Sequence, residues 1–159
     1  MKKTDYTDEY FMAQALKEAK KAYKHNEVPI GCVVVKNNKI LAATHNTRHA
    51  SKNPLNHAEV TAIKRASKKI HAWMMDDLTI YVTVEPCLMC GGILLQSRIK
   101  RVVIGTKQPK FGAFGSIIDI NSPEYKFNHK FEVTKGIKEE ECANLMTSFF
   151  KKIRNKNKK

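Results

Sequence analysis

Residues 56–59 read N-H-A-E, and residues 85–90 read E-P-C-L-M-C. Between them lies a β-branched run, T-I-Y-V-T-V at 79–84, and each stretch opens a segment of helical character. This pairing limits the possible folds more than any other feature of the chain. Imidazole nitrogen and thiolate sulfur are zinc ligands, and C-x-x-C spacing at a helix start lets two thiolates face one ion. The helix N-terminus favours their negative charge. Pro86 suits a helix start, with its fixed φ and missing N–H. If both helix starts meet at one sheet edge, His57, Cys87 and Cys90 converge on one metal and leave a fourth position for water. Glu59 then reaches the same pocket without being a ligand. There it can take a proton from activated water and pass it to a leaving group.

Hydrophobic periodicity supplies the frame. Phe11, Ala15, Ala19, Ala22 and Tyr23 share one face of a helix predicted over 8–25, with Asp8 as its N-cap. V-P-I-G-C-V-V-V-K at 28–36 is a strand, Asn37-Asn38 a turn, and K-I-L-A-A-T-H-N a returning strand. Residues 47–56 are polar and loop-like. Helices are predicted over 57–69, 88–97 and 138–153, and strands over 79–84, 101–106 and 131–134. Residues 107–130, with Pro109, Gly112, Gly115 and Pro123, read mostly as loop. Strands alternating with helices imply a sheet covered on both faces, and the hairpin makes that sheet mixed.

No repeat or linker divides the chain, so residues 1–159 read as a single domain with a basic tail at about 151–159. No apolar run approaches the roughly 18 residues of a membrane span. M-K-K-T-D-Y-T-D-E-Y lacks the apolar block of a secretory signal. The expectation is a cytoplasmic protein with no membrane association. Twenty-nine basic against 15 acidic residues give a net charge of +14. Such a field attracts polyanions, nucleic acid among them, although a lysine-rich composition also serves solubility alone. Taken by itself, C-x-x-C is also compatible with a redox pair or with half of a structural zinc site completed by Cys32 or Cys142. Both of those cysteines stand in apolar surroundings and are assigned to the core, and disulfides are not expected in the cytosol.

The combination H-x-E…P-C-x-x-C is the known signature of zinc-dependent nucleobase deaminases. Further segments narrow the likeness: E-V-P-I-G at 27–31, H-N-T-R at 45–48, Y-V-T-V-E-P-C-L-M-C at 81–90, S-R-I-K-R-V-V-I-G at 97–105, G-A-F-G-S at 112–116 and the stretch from Phe127 to Lys151. Together they resemble the bacterial tRNA-specific adenosine deaminases, within the cytidine/deoxycytidylate deaminase superfamily. The likeness spans nearly the whole chain. It implies a three-layer α/β/α fold with a mixed five-stranded sheet, and a homodimer with the active site near the subunit interface. It also implies conversion of the wobble adenosine of an ACG-anticodon arginine tRNA to inosine, releasing ammonia. One zinc ion per subunit would be held by His57, Cys87 and Cys90, with Glu59 as the proton shuttle. Asn46 would hydrogen-bond the base, Val28, Pro29 and Ile30 would line its pocket, and the Ala58 and Cys87 backbones would lie near the reacting carbon. The chain departs from the pattern at Leu55-Asn56, at Gly91, and at Phe114, which is expected in a loop facing RNA or the partner subunit.

Phosphate contacts are expected from Arg48, Lys107 and Lys110, and from Lys151, Lys152 and Arg154 of the tail. Phe149 and Phe150 could offer a stacking surface to a base, one of the two being core. Two other functions compete. A deaminase of free bases or nucleosides, such as guanine or cytosine, would use the same zinc core. However, cytidine deaminases usually begin the motif with cysteine, and a small substrate needs no +14 field. A non-catalytic RNA-binding module would have no use for Glu59.

Overall fold

The runs at 79–84 and 101–106 are β-branched on both faces, and strands of that kind need neighbours on each side and cover above and below. The computed structural model, which describes residues 6–158, supplies both. The elements run α1 (Asp8–Lys24), β1 (Gly31–Lys36), β2 (Lys39–His45), α2 (Arg48–Ser51), α3 (Ala58–Ile70), β3 (Thr79–Val84), α4 (Leu88–Ser97), β4 (Arg101–Thr106), β5 (Glu132–Lys135) and α5 (Glu139–Asn157). The five-stranded sheet has the order β2-β1-β3-β4-β5. β1 is antiparallel to β2 and β3, whereas β3, β4 and β5 are mutually parallel. This is the mixed sheet that the hairpin implied.

Side-chain alternation divides the core into two layers. Val34, Ile80, Val82, Val102 and Ile104 face α3 and α4, meeting Ala62, Ala66 and Leu94. Val33, Val35, Tyr81 and Val103 face the other way, meeting Phe11, Met12 and Leu16 of α1 and Cys142 of α5. Gly31 makes the closest approach. A Cβ there would lie 1.9 Å from the Ala15 carbonyl oxygen, so α1 rests directly on the β1 backbone.

The structure revises several expectations. Thr7, not Asp8, caps α1, its hydroxyl accepting the Tyr10 N–H at 3.2 Å. Asp8 instead receives both Arg101 guanidinium nitrogens, at 2.8 and 2.7 Å, and the Tyr81 hydroxyl at 2.7 Å. The stretch expected as loop at 47–56 contains α2, and α5 continues to Asn157 where the helix was expected to end near 153, so most of the tail is helical. Phe149 is 1% exposed and packs edge-on against Tyr23, so it is core and presents no stacking surface; Phe150, 42% exposed, is its outward neighbour. Phe114 is also core, at 1% exposure against Phe131, because its loop folds inward. Among the described residues, no helix is long and apolar enough to cross a membrane.

The Arg101 hydrogen bonds hold the Asp8 carboxyl below its usual range, outweighing the effect of burial. A carboxylate with a lowered folded pKa stabilises fully above the ordinary value of about 3.9, and that contribution fades as the pH falls through the folded value. Asp8→Asn should therefore reduce stability near neutral pH and flatten its loss below about pH 4, as read by urea unfolding across that range.

Candidate active site

His57 and Cys87 occupy equivalent places on neighbouring helices. Each is an N-cap residue with extended backbone, His57 for α3 and Cys87 for α4, and neither spends its side chain on capping. That releases the imidazole and the thiolate to face each other. His57 Nδ1 lies 3.7 Å from Cys87 Sγ and 3.5 Å from Cys90 Sγ. All three ligand atoms fall within 4.8 Å of one another. A tetrahedral ion with Zn–N near 2.0 Å and Zn–S near 2.3 Å would separate such a nitrogen and sulfur by about 3.5 Å. The cluster fits such a metal without rearrangement.

The protonation pattern points the same way. The Cys87 thiol is pulled down to about 4, first by the hydrogen bond from Cys90 and further by His57, against the effect of burial. Cys90 is pushed far up as the partner that keeps the proton, and burial adds to this. His57 is raised by its hydrogen bond to Cys87 and by the nearby Glu59 carboxylate, against the effect of burial.

Glu59 sits in the first turn of α3 and is 3% exposed. Burial, then the charge of Cys87, raises its pKa. Its Oε1 is buried with no hydrogen-bond partner. An orphaned buried carboxylate oxygen is costly, and it needs an explanation such as catalysis or an unseen ligand. The cluster does not extend to the other cysteines. Cys142 lies in the opposite core layer, and Cys32, fully buried under α3, lies outside the group. A four-ligand structural site is therefore not assembled among the described residues.

The residues expected to form a base pocket are held as follows. Asn46 is 6% exposed. Its Oδ1 accepts the Arg48 N–H at 3.1 Å, and Nδ2 donates to the Val28 carbonyl at 3.3 Å. A primary amide carries two N–H groups, so one is committed to Val28. Pro29 is buried, and Val28 and Ile30 are half-buried. Ala58 is fully buried, and its carbonyl accepts the Thr44 hydroxyl at 2.6 Å. Arg48, Lys107, Lys110, Lys151 and Arg154 are exposed. Lys152 is half-buried, its ammonium 3.2 Å from Asn26 Oδ1 and 4.9 Å from the Tyr23 ring centre.

Three buried acids escaped the sequence reading; Glu18 of α1 pairs with Lys21 and His45, and the other two hold loops. Glu27, 1% exposed, accepts the His49 and Ala50 N–H groups at 3.1 and 2.7 Å. It caps α2 from outside, where Thr47 makes no side-chain cap. Glu85 accepts N–H groups from Gln108, Phe114 and Ser116, and the Ser116 hydroxyl. Those bonds lower its pKa despite burial. It pins the 108–116 loop beside the candidate cluster, and Gly112 bridges to Cys87. The available signal was an acid set directly against apolar residues and proline, in E-V-P and E-P-C. Gly91 and Phe114 turn out to be coupled. A Cβ at 91 would come within 2.6 Å of Ile120 Cδ1 and 3.6 Å of the Phe114 ring, so the missing methyl makes room for both.

The comparisons with known proteins assign the class first. A family model for MafB19-like deaminases matches residues 6–154. The tRNA-specific adenosine deaminase of Bacillus subtilis (strain 168) is 43% identical over 151 residues, 95% of this chain and 93% of its own. A solved structure from work on A-to-I editing by tRNA:A34 deaminases at the wobble position superposes with a TM-score of 0.81 at 33% identity, covering 86% of this chain and 98% of that one. The chain belongs to the tRNA-specific adenosine deaminase family. The guanine deaminase of Nitrosomonas europaea, at a TM-score of 0.76 and 18% identity over 92% of this chain and 86% of its own, shares the fold.

Removing the buried Glu27 carboxylate leaves two part-buried backbone N–H groups at the start of α2 without their charged acceptor. Glu27→Ala should cost about 3 kcal/mol in guanidinium unfolding and speed amide exchange at His49 and Ala50.

Proposed function

We propose that this protein deaminates the wobble adenosine of an ACG-anticodon arginine tRNA to inosine, with release of ammonia. It does so as a homodimer with one zinc ion per subunit. The observation that carries the reading is the orphaned, buried Glu59 oxygen beside a His57–Cys87–Cys90 cluster of the size a zinc ion needs. When bound, the ion supplies Lewis acidity that lowers the pKa of a water molecule to about 7.

The protein's own groups do the remaining work. Glu59, its pKa raised by burial, is suited to taking a proton from water and returning it within the same site. A C–O bond forms at C6 of adenine as the proton passes through Glu59 to the ring nitrogen. The C–N bond then breaks, and the departing amine leaves as ammonia after a second proton transfer. The base must leave its stack to reach this centre. Val28, Pro29 and Ile30 form the wall it enters against, and the uncommitted N–H of Asn46 holds its edge. The Ala58 and Cys87 backbones face the reacting carbon. Both residues begin or cap helices, whose N-termini favour developing negative charge. Exposed Arg48, Lys107, Lys110, Lys151 and Arg154 meet phosphates, in keeping with a net charge of +14.

Zinc-loaded protein is expected to form inosine at the wobble position of the arginine tRNA transcript and to leave guanine, cytosine and cytidine unchanged. Glu59→Gln should retain one zinc per chain yet lose at least about a thousandfold in kcat. Turnover of a free base with untouched tRNA would overturn the substrate, and an active Glu59→Gln variant would overturn the role of the glutamate.

A further inference from the structure

Phe111 is 69% exposed, more than any other large apolar side chain among the described residues. One exposed apolar residue is ordinary on a protein surface. Three features of its position make this one different.

First, its backbone is held. Glu85 ties the amides of Gln108, Phe114 and Ser116 together, and the Gly112 N–H bonds the Gln108 carbonyl at 2.8 Å. A Cβ at Gly112 would lie 2.2 Å from the Glu85 carboxylate, so the loop is seated as closely as its chemistry allows. Phe114, three residues on, goes into the core from this same loop, while Phe111 is turned out.

Second, it stands at the rim of the candidate metal centre. The next residue, Gly112, is bridged to Cys87, and the Ala113 N–H bonds the Pro86 carbonyl at 2.9 Å. Third, its company is cationic. Lys107 and Lys110 are both exposed, and residues 107–118 contain no acid. An aromatic face with lysines beside it, rigidly mounted, is the arrangement that holds an unpaired nucleotide: the ring stacks on the base and the cations meet its phosphates.

We propose that Phe111 is a stacking platform for an anticodon-loop base adjacent to the adenosine that enters the site, with Lys107 and Lys110 on the flanking phosphates. The proposal rests on the tRNA-editing reading above. A nucleobase fits better than a second copy of this chain because the loop offers positive charge without acids, and the protein as a whole carries +14. Stacking is tolerant of base identity, so Phe111 contributes affinity and register rather than a sequence code.

The test compares wild type with Phe111→Ala, Phe111→Leu and Phe111→Trp on the arginine tRNA transcript, with zinc content and sedimentation measured for each. Phe111→Ala should raise KM about tenfold with kcat nearly unchanged. Trp should restore it and Leu should not, because only an aromatic face stacks. A 2-aminopurine placed next to the wobble adenosine should be quenched on binding by wild type and less by Phe111→Ala. An unchanged KM and unchanged quenching in Phe111→Ala, or full rescue by Leu, would overturn the proposal. So would a loss of activity traced to a shifted monomer–dimer balance. A wild type that edits no tRNA would instead overturn the reading on which the proposal stands.

Discussion

A thiolate can be buried only where positive charge or hydrogen-bond donors face it, and the arrangement of this protein follows from meeting that need twice. Cys87 and His57 each have extended backbone and stand immediately before a helix. Their helices lie side by side on one face of the sheet. The two N-termini therefore point their partial positive charge at the same small volume, where Cys90 enters one turn later. β3 feeds directly through Glu85 and Pro86 into Cys87, and the parallel β4 returns beside it. The sheet thus sets where one half of the ligand set stands, and α3, packed on the same core, sets the other half.

Two buried carboxylates extend this frame outward. Glu85 gathers the amides of the loop that follows β4, and Glu27 gathers those of α2. Neither carboxylate is free for chemistry, since each is occupied by backbone donors. Glu59, by contrast, keeps an oxygen with no partner. Of the four buried glutamates among the described residues, Glu27 and Glu85 organise loops, Glu18 pairs with Lys21 and His45, and Glu59 keeps an oxygen without a partner. Asn46 belongs partly to the first group, because it joins the Val28 carbonyl to the α2 amide of Arg48. The segment at Val28 and the start of α2 are in this way tied together through Asn46.

The regular elements were legible because their signals are local. The strands at 79–84 and 101–106 and the helix at 88–97 fall where β-branched runs and a Pro86 start put them. The His57, Cys87 and Cys90 group was legible because spacing and ligand type depend on nothing distant. What was missed depends on contacts far along the chain. Asp8 looked like a cap, but Arg101 claims it from 93 residues away. Phe114 is core only because its loop folds back onto partners that spacing cannot reveal; helical spacing put one of Phe149 and Phe150 in the core, and packing on Tyr23 decides for Phe149. Glu27 and Glu85 serve amides 22 to 31 residues on, so no window of sequence contains both ends of the interaction.

The central claim is that His57, Cys87 and Cys90 hold a zinc ion with one position left open for chemistry. Zinc analysis combined with X-ray absorption at the metal edge tests it most directly. The account predicts one zinc per chain, with two sulfurs, one imidazole nitrogen and one further light-atom ligand. A four-sulfur shell, or zinc-free protein that deaminates its substrate, would contradict it.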